Sequence, residues 1–598
     1  MKSIRTVTAL LLLLWAAVSF AAPLRVINTS AGGRVRTLDP VFADDLASRN
    51  LLGAVYDTLL EYDYDARPYK LKPGMLKSMP RPSEDFKSYF FELRDDLFFA
   101  ADPVFGGRQR KITSQDVLFS ILRIADARNH SPLFWLFRGR VAGIDVFHRA
   151  SRAEKKGELR LYDRGITGFV IHTEKTFTIR LTRPDPRFLY TLAMPNCGIV
   201  SREAVVHYGE SFARHPVGSG PFILKEWIND CRIVLERNPA FRQEYYAGAA
   251  SAEDRTRPLP LADKIIIKLV KQSMTGWMLF LQGHLDYQAL DKDNADLAGG
   301  GELPPVLVKR GIRLWRVPEF EIRYTGFNFS DPLLGKNLKL RQAMSLAFDS
   351  ARRIEHAGNQ LLAASGPVPP GVAGYDEKFR NPWMAHDLEK AKKLLAEAGY
   401  PGGIDPRTGK RLAFTFDQTG NTSSHRQVGE LTQAEFAALG IEIKPILNNN
   451  PRFYEKLRQN KMQLFRLSWI GDYPDAENFF QLFYSGNIGG CNRTGFSDPV
   501  FDRMYEEILG MSDTPERTEK YRRMVRYLAG HCVWIYEGFP VSYQLNHAWL
   551  ENFTPHDFGF ARWKYLSVNT RLRERLKKSF RPVGLSELNF GGGNQTKK

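Results

Sequence analysis

The chain of 598 residues carries 84 Lys+Arg against 66 Asp+Glu, a formal net charge of +18, with 43% hydrophobic and 12% aromatic residues. That length buries a core large enough to need no disulfide or metal staple, and the apolar content excludes an extended disordered protein. The cationic excess alone is compatible with nucleic acid, an anionic membrane surface or plain solubility. Length divided by ~150 gives roughly four domains, a soft prior that large intertwined lobes also satisfy.

The chain opens with Met1-Lys2-Ser3-Ile4-Arg5, then an apolar run over 7–18 containing five consecutive leucines from Leu10, then Ser19-Phe20-Ala21. A basic start, a short apolar stretch and small residues before a cut predict a secretory signal peptide over 1–21, cleaved after Ala21. The run is short for a membrane-spanning helix, and no other stretch approaches ~20 apolar residues. With no cysteine near the cut, a lipid anchor is not expected. The mature protein should be periplasmic with a charge of +16, since Lys2 and Arg5 leave with the signal.

Further along, Tyr89-Phe90-Phe91-Glu92-Leu93-Arg94 and Phe177-Thr178-Ile179-Arg180-Leu181 read as strands, the second with apolar residues at alternate positions. Thr113-Ser114-Gln115-Asp116 has the form of a capping box opening a helix with Val117, Ile121 and Leu122. Ile265-Ile266-Ile267 reads as a buried strand. Leu340, Ala343, Met344, Ala347 and Phe348 recur at helical spacing. Asp387 starts another helix, with Leu388, Ala391, Leu394, Leu395 and Ala398 on one face and Gly399 and Pro401 as its stop. Strands and helices alternate throughout, so the class is α/β. The polar, glycine-rich stretch 584–598 should be a flexible tail.

Cys197, Cys231, Cys491 and Cys532 would meet an oxidising compartment, where disulfides persist. Four cysteines allow three pairings. Separations of 34 and 41 residues favour Cys197–Cys231 and Cys491–Cys532, with buried free thiols as the alternative.

Motifs for chemistry fail when counted. Thr408-Gly409-Lys410 has Ile404 where a phosphate loop needs its first glycine, and Arg411 where it needs a hydroxyl. Gly209-Glu210-Ser211-Phe212-Ala213 is one glycine short of a nucleophile elbow. The 12 histidines show no zinc spacing. The basic segment 571–578 reads as a solvated helix face in preference to a phosphate contact. The chain is therefore expected not to be an enzyme, to hold no cofactor or metal, and to bind no nucleic acid.

Read in order, a series of segments resembles the family 5 extracellular solute-binding proteins of ABC importers, the oligopeptide- and dipeptide-binding class. These are Leu38-Asp39-Pro40 with Val55-Tyr56-Asp57-Thr58-Leu59-Leu60; Phe91-Glu92-Leu93-Arg94 with Ile112-Thr113-Ser114-Gln115-Asp116-Val117; and Pro216-Val217-Gly218-Ser219-Gly220-Pro221-Phe222. Arg232-Ile233-Val234-Leu235-Glu236-Arg237-Asn238-Pro239, Gly283-His284-Leu285-Asp286, Leu340-Arg341-Gln342-Ala343 and the 391–399 helix continue the match, which closes on Trp469-Ile470-Gly471-Asp472-Tyr473-Pro474-Asp475.

The resemblance implies a two-lobed periplasmic solute-binding fold hinged by two crossings of the chain. Lobe I would take 22–321 with an inserted subdomain near 67–216, lobe II 322–542, and 543–583 would return to lobe I. It implies a monomer that captures a peptide or peptide-like ligand between the lobes and delivers it to an ABC permease. On the family pattern Asp472 anchors the ligand ammonium, Trp469 lines a side-chain pocket and Arg466 meets a ligand carboxylate. Asp44, Asp45 and Leu46 run beside the ligand backbone, and Tyr543 is a further candidate near the second crossing. The same residues have structural alternatives: a capping aspartate, a core tryptophan, a surface arginine, loop carboxylates. One departure is that Pro451-Arg452-Phe453-Tyr454 stands where many oligopeptide binders carry a tryptophan. That leaves open a non-peptide solute such as a glycoside, opine, haem or metal chelate.

Overall fold

The computed structural model describes residues 23–31, 35–155, 157–290, 302–420, 422–578, 580, 581 and 583. The expected signal peptide over 1–21 and the tail 584–598 lie outside the described residues.

Near the start of the described chain, Val26–Ala31 pairs in parallel with Lys264–Leu269, which continues antiparallel to Arg232–Arg237 and Phe222–Ile228. The isoleucine run at 265–267 behaves differently from expectation. Ile265 and Ile267 are buried and Ile266 is only half-buried, because one face of this sheet meets the core and the other is partly open. A second four-stranded sheet joins Arg81–Pro82, Ser88–Glu92, Thr176–Arg180 and Phe169–Ile171. Here the expected strands pair with Phe91 opposite Phe177, their rings stacked 4.9 Å apart, and Tyr89 opposite Ile179. Helix Ser114–Ala125 opens on the capping box of Thr113 and Asp116 and is buried along almost its whole length.

The largest sheet has eight strands and is organised by Trp534–His547, 14 residues long. Its first part pairs with Glu321–Phe327, its last part with Ile312–Pro318 and Tyr287–Leu290. Thus the chain passes from one group of strands to the other twice, side by side: at Glu319-Phe320, where Glu319 N donates to Pro540 O at 2.7 Å, and at Gly538–Pro540. A register shift between Arg323 and Tyr324 marks the same place. Gly538 adopts φ 148°, and a Cβ there would meet Leu362 O at 2.5 Å. Beyond the first crossing, Leu464–Ile470, Ala413–Thr419 and Glu442–Asn448 extend the sheet. The two predicted helices lie against it as Leu338–Ala347 and Leu388–Glu397, the second capped by Asp387, with Gly399 at φ 95°. The basic segment forms helix Thr570–Lys577, in which Leu572 and Leu576 pack on the main core, Arg573 pairs with the buried Asp286 at 2.7 Å and Arg571, Glu574 and Arg575 face solvent.

All four cysteines are free, correcting the expected Cys197–Cys231 and Cys491–Cys532 bridges. Cys197 is buried in the main core, whereas Cys231 is exposed at the turn between Phe222–Ile228 and Arg232–Arg237. Cys532 is buried with its Sγ donating to Ala529 O, while Cys491 is half-buried with its Sγ donating to Gln481 O. Proximity along the chain does not bring either pair into one environment. No helix among the described residues is long and apolar enough to cross a membrane.

Candidate functional site

Strand Leu464–Ile470 runs antiparallel to Glu321–Phe327, placing Trp469 opposite Ile322 and Ile470 opposite Glu321. It ends at Gly471, whose N donates to Phe320 O at 2.9 Å. A Cβ on Gly471 would lie 1.8 Å from the Phe320 ring, so only glycine permits this approach. The chain then turns, and Asn478, fully buried in helix Glu477–Phe480, fixes the turn. Its Oδ1 accepts from Trp469 Nε1 at 2.9 Å and from Asp472 N at 3.1 Å, while its Nδ2 lies 3.5 Å from Asp472 Oδ2. Asn478 thus orients the tryptophan and the aspartate together, a role that sequence reasoning missed because no family motif marked it.

The two acids of this segment differ in their use. Asp475 is buried and paired with Arg517 at 2.8 Å, and it accepts from Tyr521 Oη at 2.7 Å. Asp472 forms no ion pair among the described residues. Burial pushes its carboxyl above the usual carboxylate range, opposed by the Asn478 hydrogen bond and the field of Arg49. Arg49 belongs to helix Leu46–Val55, far away in sequence.

Aromatic side chains join these distant parts. Tyr62 stacks on Tyr190 at 6.3 Å and Tyr190 on Tyr473 at 5.7 Å, while Phe558 packs against both Tyr62 and Phe320 at 5.0 Å. Tyr62 is buried, its hydroxyl has no partner among the described residues, and Asp472 is one of the groups whose field it feels.

The remaining expected site residues fall in varied places. Arg466 Nε donates to Glu537 at 2.7 Å; Glu537 also accepts from Thr325 Oγ1. Burial pushes the Glu537 carboxyl up, but Arg466 and Arg353 hold it below its ordinary value, so Arg466 serves a buried charge of the sheet. Asp45 caps helix Leu46–Val55, accepting from Ser48 N and Ser48 Oγ, both at 2.8 Å. Asp44 is exposed and stands 3.8 Å from Arg36, and Leu46 is exposed. Tyr543 is buried in a separate apolar cluster and its hydroxyl donates to Asn359 O, which leaves it as packing at this position. The structure therefore gathers Asp472, Trp469, Asn478, Tyr62 and Arg49, and it leaves Tyr543 outside that group. Among the described residues no cluster of His, Cys, Asp and Glu is arranged to hold a metal.

The chain is similar to known proteins over most of its length. It is 26% identical over 528 residues to Heme-binding protein A of Haemophilus influenzae, covering 86% of this chain and 87% of that one. It is 24% identical over 539 residues to the periplasmic oligopeptide-binding protein OppA of Escherichia coli, covering 88% and 89%. Among solved structures, HbpA2 from Haemophilus parasuis superposes with a TM-score of 0.73 at 22% identity, covering 91% of this chain and 100% of that one, which establishes the two-lobed α/β fold. The model of bacterial extracellular solute-binding proteins, family 5 Middle, matches residues 70–490, and the chain belongs to that family.

Proposed function

We propose that this protein is the periplasmic substrate-binding component of an ABC importer, which encloses a peptide or peptide-like ligand between its lobes and passes it to a membrane permease. On this reading the protein binds its ligand without turning it over, works as a monomer and is exported by the segment 1–21 without a lipid anchor. The lobes divide near 321 and 542, a division supported by the paired crossings at Glu319-Phe320 and Gly538–Pro540.

The observation that carries the reading is the contrast between Asp475, neutralised by Arg517, and Asp472, half-buried near it without an ion pair among the described residues. An ammonium offers three donors, and a half-buried carboxylate receives them as charge-assisted hydrogen bonds. Closure over the ligand then follows from contacts made to both lobes at once. Support for a peptide comes from the relative named an oligopeptide-binding protein. A second reading, the same fold holding a non-peptide solute, is favoured by the relative named a haem-binding protein. Native mass spectrometry of protein purified from its own cells separates the two. A heterogeneous set of short peptides is expected, and a single non-peptide mass would overturn the first reading.

A further inference from the structure

Most buried and half-buried cations of this protein are spent on carboxylates or carbonyls: Arg123 on Asp39 at 2.8 Å, Arg242 and Lys564 on Glu244, each at 2.9 Å, and Arg341 on the carbonyls of Leu334 and Cys532. Arg49 is an exception. Its Nε is buried without a hydrogen-bond partner, and no ion pair involves it among the described residues. Such an atom costs free energy unless something meets it. Its surroundings say what that could be. The helix carrying Arg49 approaches the Tyr62 strand, since Gly53, one turn further on, and Tyr62 line the same cavity of about 30 Å³. Tyr62 connects through the stacked Tyr190 to Tyr473, the residue after Asp472. A cation with an orphaned Nε, a carboxylate without an ion pair and a buried hydroxyl without a partner thus approach one another from three separate segments, Asp472 lying in the field of Arg49 and Tyr62 in that of Asp472.

We propose that Arg49 is an anion anchor of this site, and that with Asp472 and Tyr62 it selects a ligand whose free ammonium has a carboxylate a few bonds away. This rests on the ammonium-binding reading of Asp472. The ammonium lies against Asp472, the carboxylate takes the fork of donors of the guanidinium, and the Tyr62 hydroxyl completes the set. A planar fork matches a carboxylate in a way a point charge does not, so the position calls for arginine. The carboxylate has two sources: the side chain of an acidic first residue in an ordinary peptide, or the α-carboxylate of a first residue joined through its side chain.

Calorimetry on the mature chain, stripped of bound ligand, tests this with Glu-Ala-Ala, Gln-Ala-Ala and the isomer of Glu-Ala-Ala linked through the glutamate side chain. The wild type is expected to prefer at least one acidic peptide over Gln-Ala-Ala by tenfold or more. In Arg49→Gln that preference should vanish, the acidic peptides losing tenfold or more relative to Gln-Ala-Ala measured on the same variant. The isomer whose affinity falls further identifies the source of the carboxylate. Equal wild-type affinity for all three peptides, or a preference that survives in Arg49→Gln, overturns the anion anchor and leaves the peptide reading standing. Failure of the wild type to bind any of them overturns both.

Discussion

Arg187 and Glu477 stand 3.4 Å apart with side chains only 7% and 6% exposed, and they come from opposite sides of the two chain crossings. Arg187 also donates to Ile508 O and Leu509 O, the final carbonyls of helix Pro499–Leu509, where a cation suits the negative end of the helix. Glu477 in turn accepts from the hydroxyls of Tyr473 and Tyr505. Nearby, Tyr190 stacks on Tyr473 and its hydroxyl lies 3.4 Å from Asp513. On the proposed lobe division these contacts would latch one lobe to the other. Replacing one partner of a buried pair strands the other, at about 3–5 kcal/mol. Here much of that cost is avoided by opening instead of unfolding. Arg187→Met should increase the radius of gyration in solution scattering and weaken ligand binding by tenfold or more. The double variant Arg187→Met/Glu477→Gln should recover part of both. An unchanged scattering profile for Arg187→Met would remove the latch from the account.

Asp472 and Asp475 should respond in opposite ways to the same isosteric change. Asp472→Asn removes a carboxylate that burial disfavours, so thermal stability should hold or rise. Affinity for ligands with a free amino group should fall by about 2–5 kcal/mol. Asp475→Asn leaves the buried Arg517 with only the exposed Asp513 as a carboxylate partner and should lower stability, by up to about 3–5 kcal/mol. Calorimetric unfolding and binding on both variants check this, and similar losses of stability for the two would refute the division of roles.

Gly471→Ala tests how the fold aims Asp472. The Phe320 ring it would strike packs against Phe479 at 5.1 Å and Phe558 at 5.0 Å, so the ring has little room to yield. Overpacking of this kind costs about 1–3 kcal/mol and shifts the backbone. Melting temperature and ligand affinity should fall together. A variant with wild-type affinity would mean that the turn tolerates displacement without moving the carboxylate.

What the sequence made legible follows from how local each cause is. The strands around Phe91 and Phe177 announce themselves by alternation, and the helix starts at Thr113 and Asp387 by their side chains. Asp472 and Trp469 stand out in the sequence only as part of a string of family-like residues. Arg466 could not be resolved in advance, because the Glu537 that occupies it is 71 residues away and reaches it only through strand pairing. Tyr543 likewise looks like a residue near a crossing until Asn359 takes its hydroxyl. Arg49 resembles any arginine on an amphipathic helix, and only tertiary placement brings its field onto Asp472. The cysteines fail for the same reason: separation along the chain says nothing about which side of a sheet each thiol occupies.

Glu319, at the first crossing, gives stability a pH dependence of defined sign. Burial pushes its carboxyl up to about 7, with Glu321 and Asp557 adding to the rise and Arg323 opposing it. Asp557 is itself half-buried, raised by desolvation and accepts a hydrogen bond from Tyr69. In the unfolded chain a glutamate titrates near ~4.3, so between that value and about 7 the folded state binds the extra proton. Folding stability contributed by Glu319 is therefore full below ~4 and declines as pH rises through 7, by at most about 4 kcal/mol. Glu319→Gln keeps the shape and removes the titration. Urea unfolding of both proteins at pH 4.5 and pH 8 should show the variant gaining on the wild type by about 1–3 kcal/mol at the higher pH. The other raised carboxyls titrate in both proteins and cancel. A difference that stays constant between the two pH values would show that Glu319 ionises in the fold as it does in the unfolded chain.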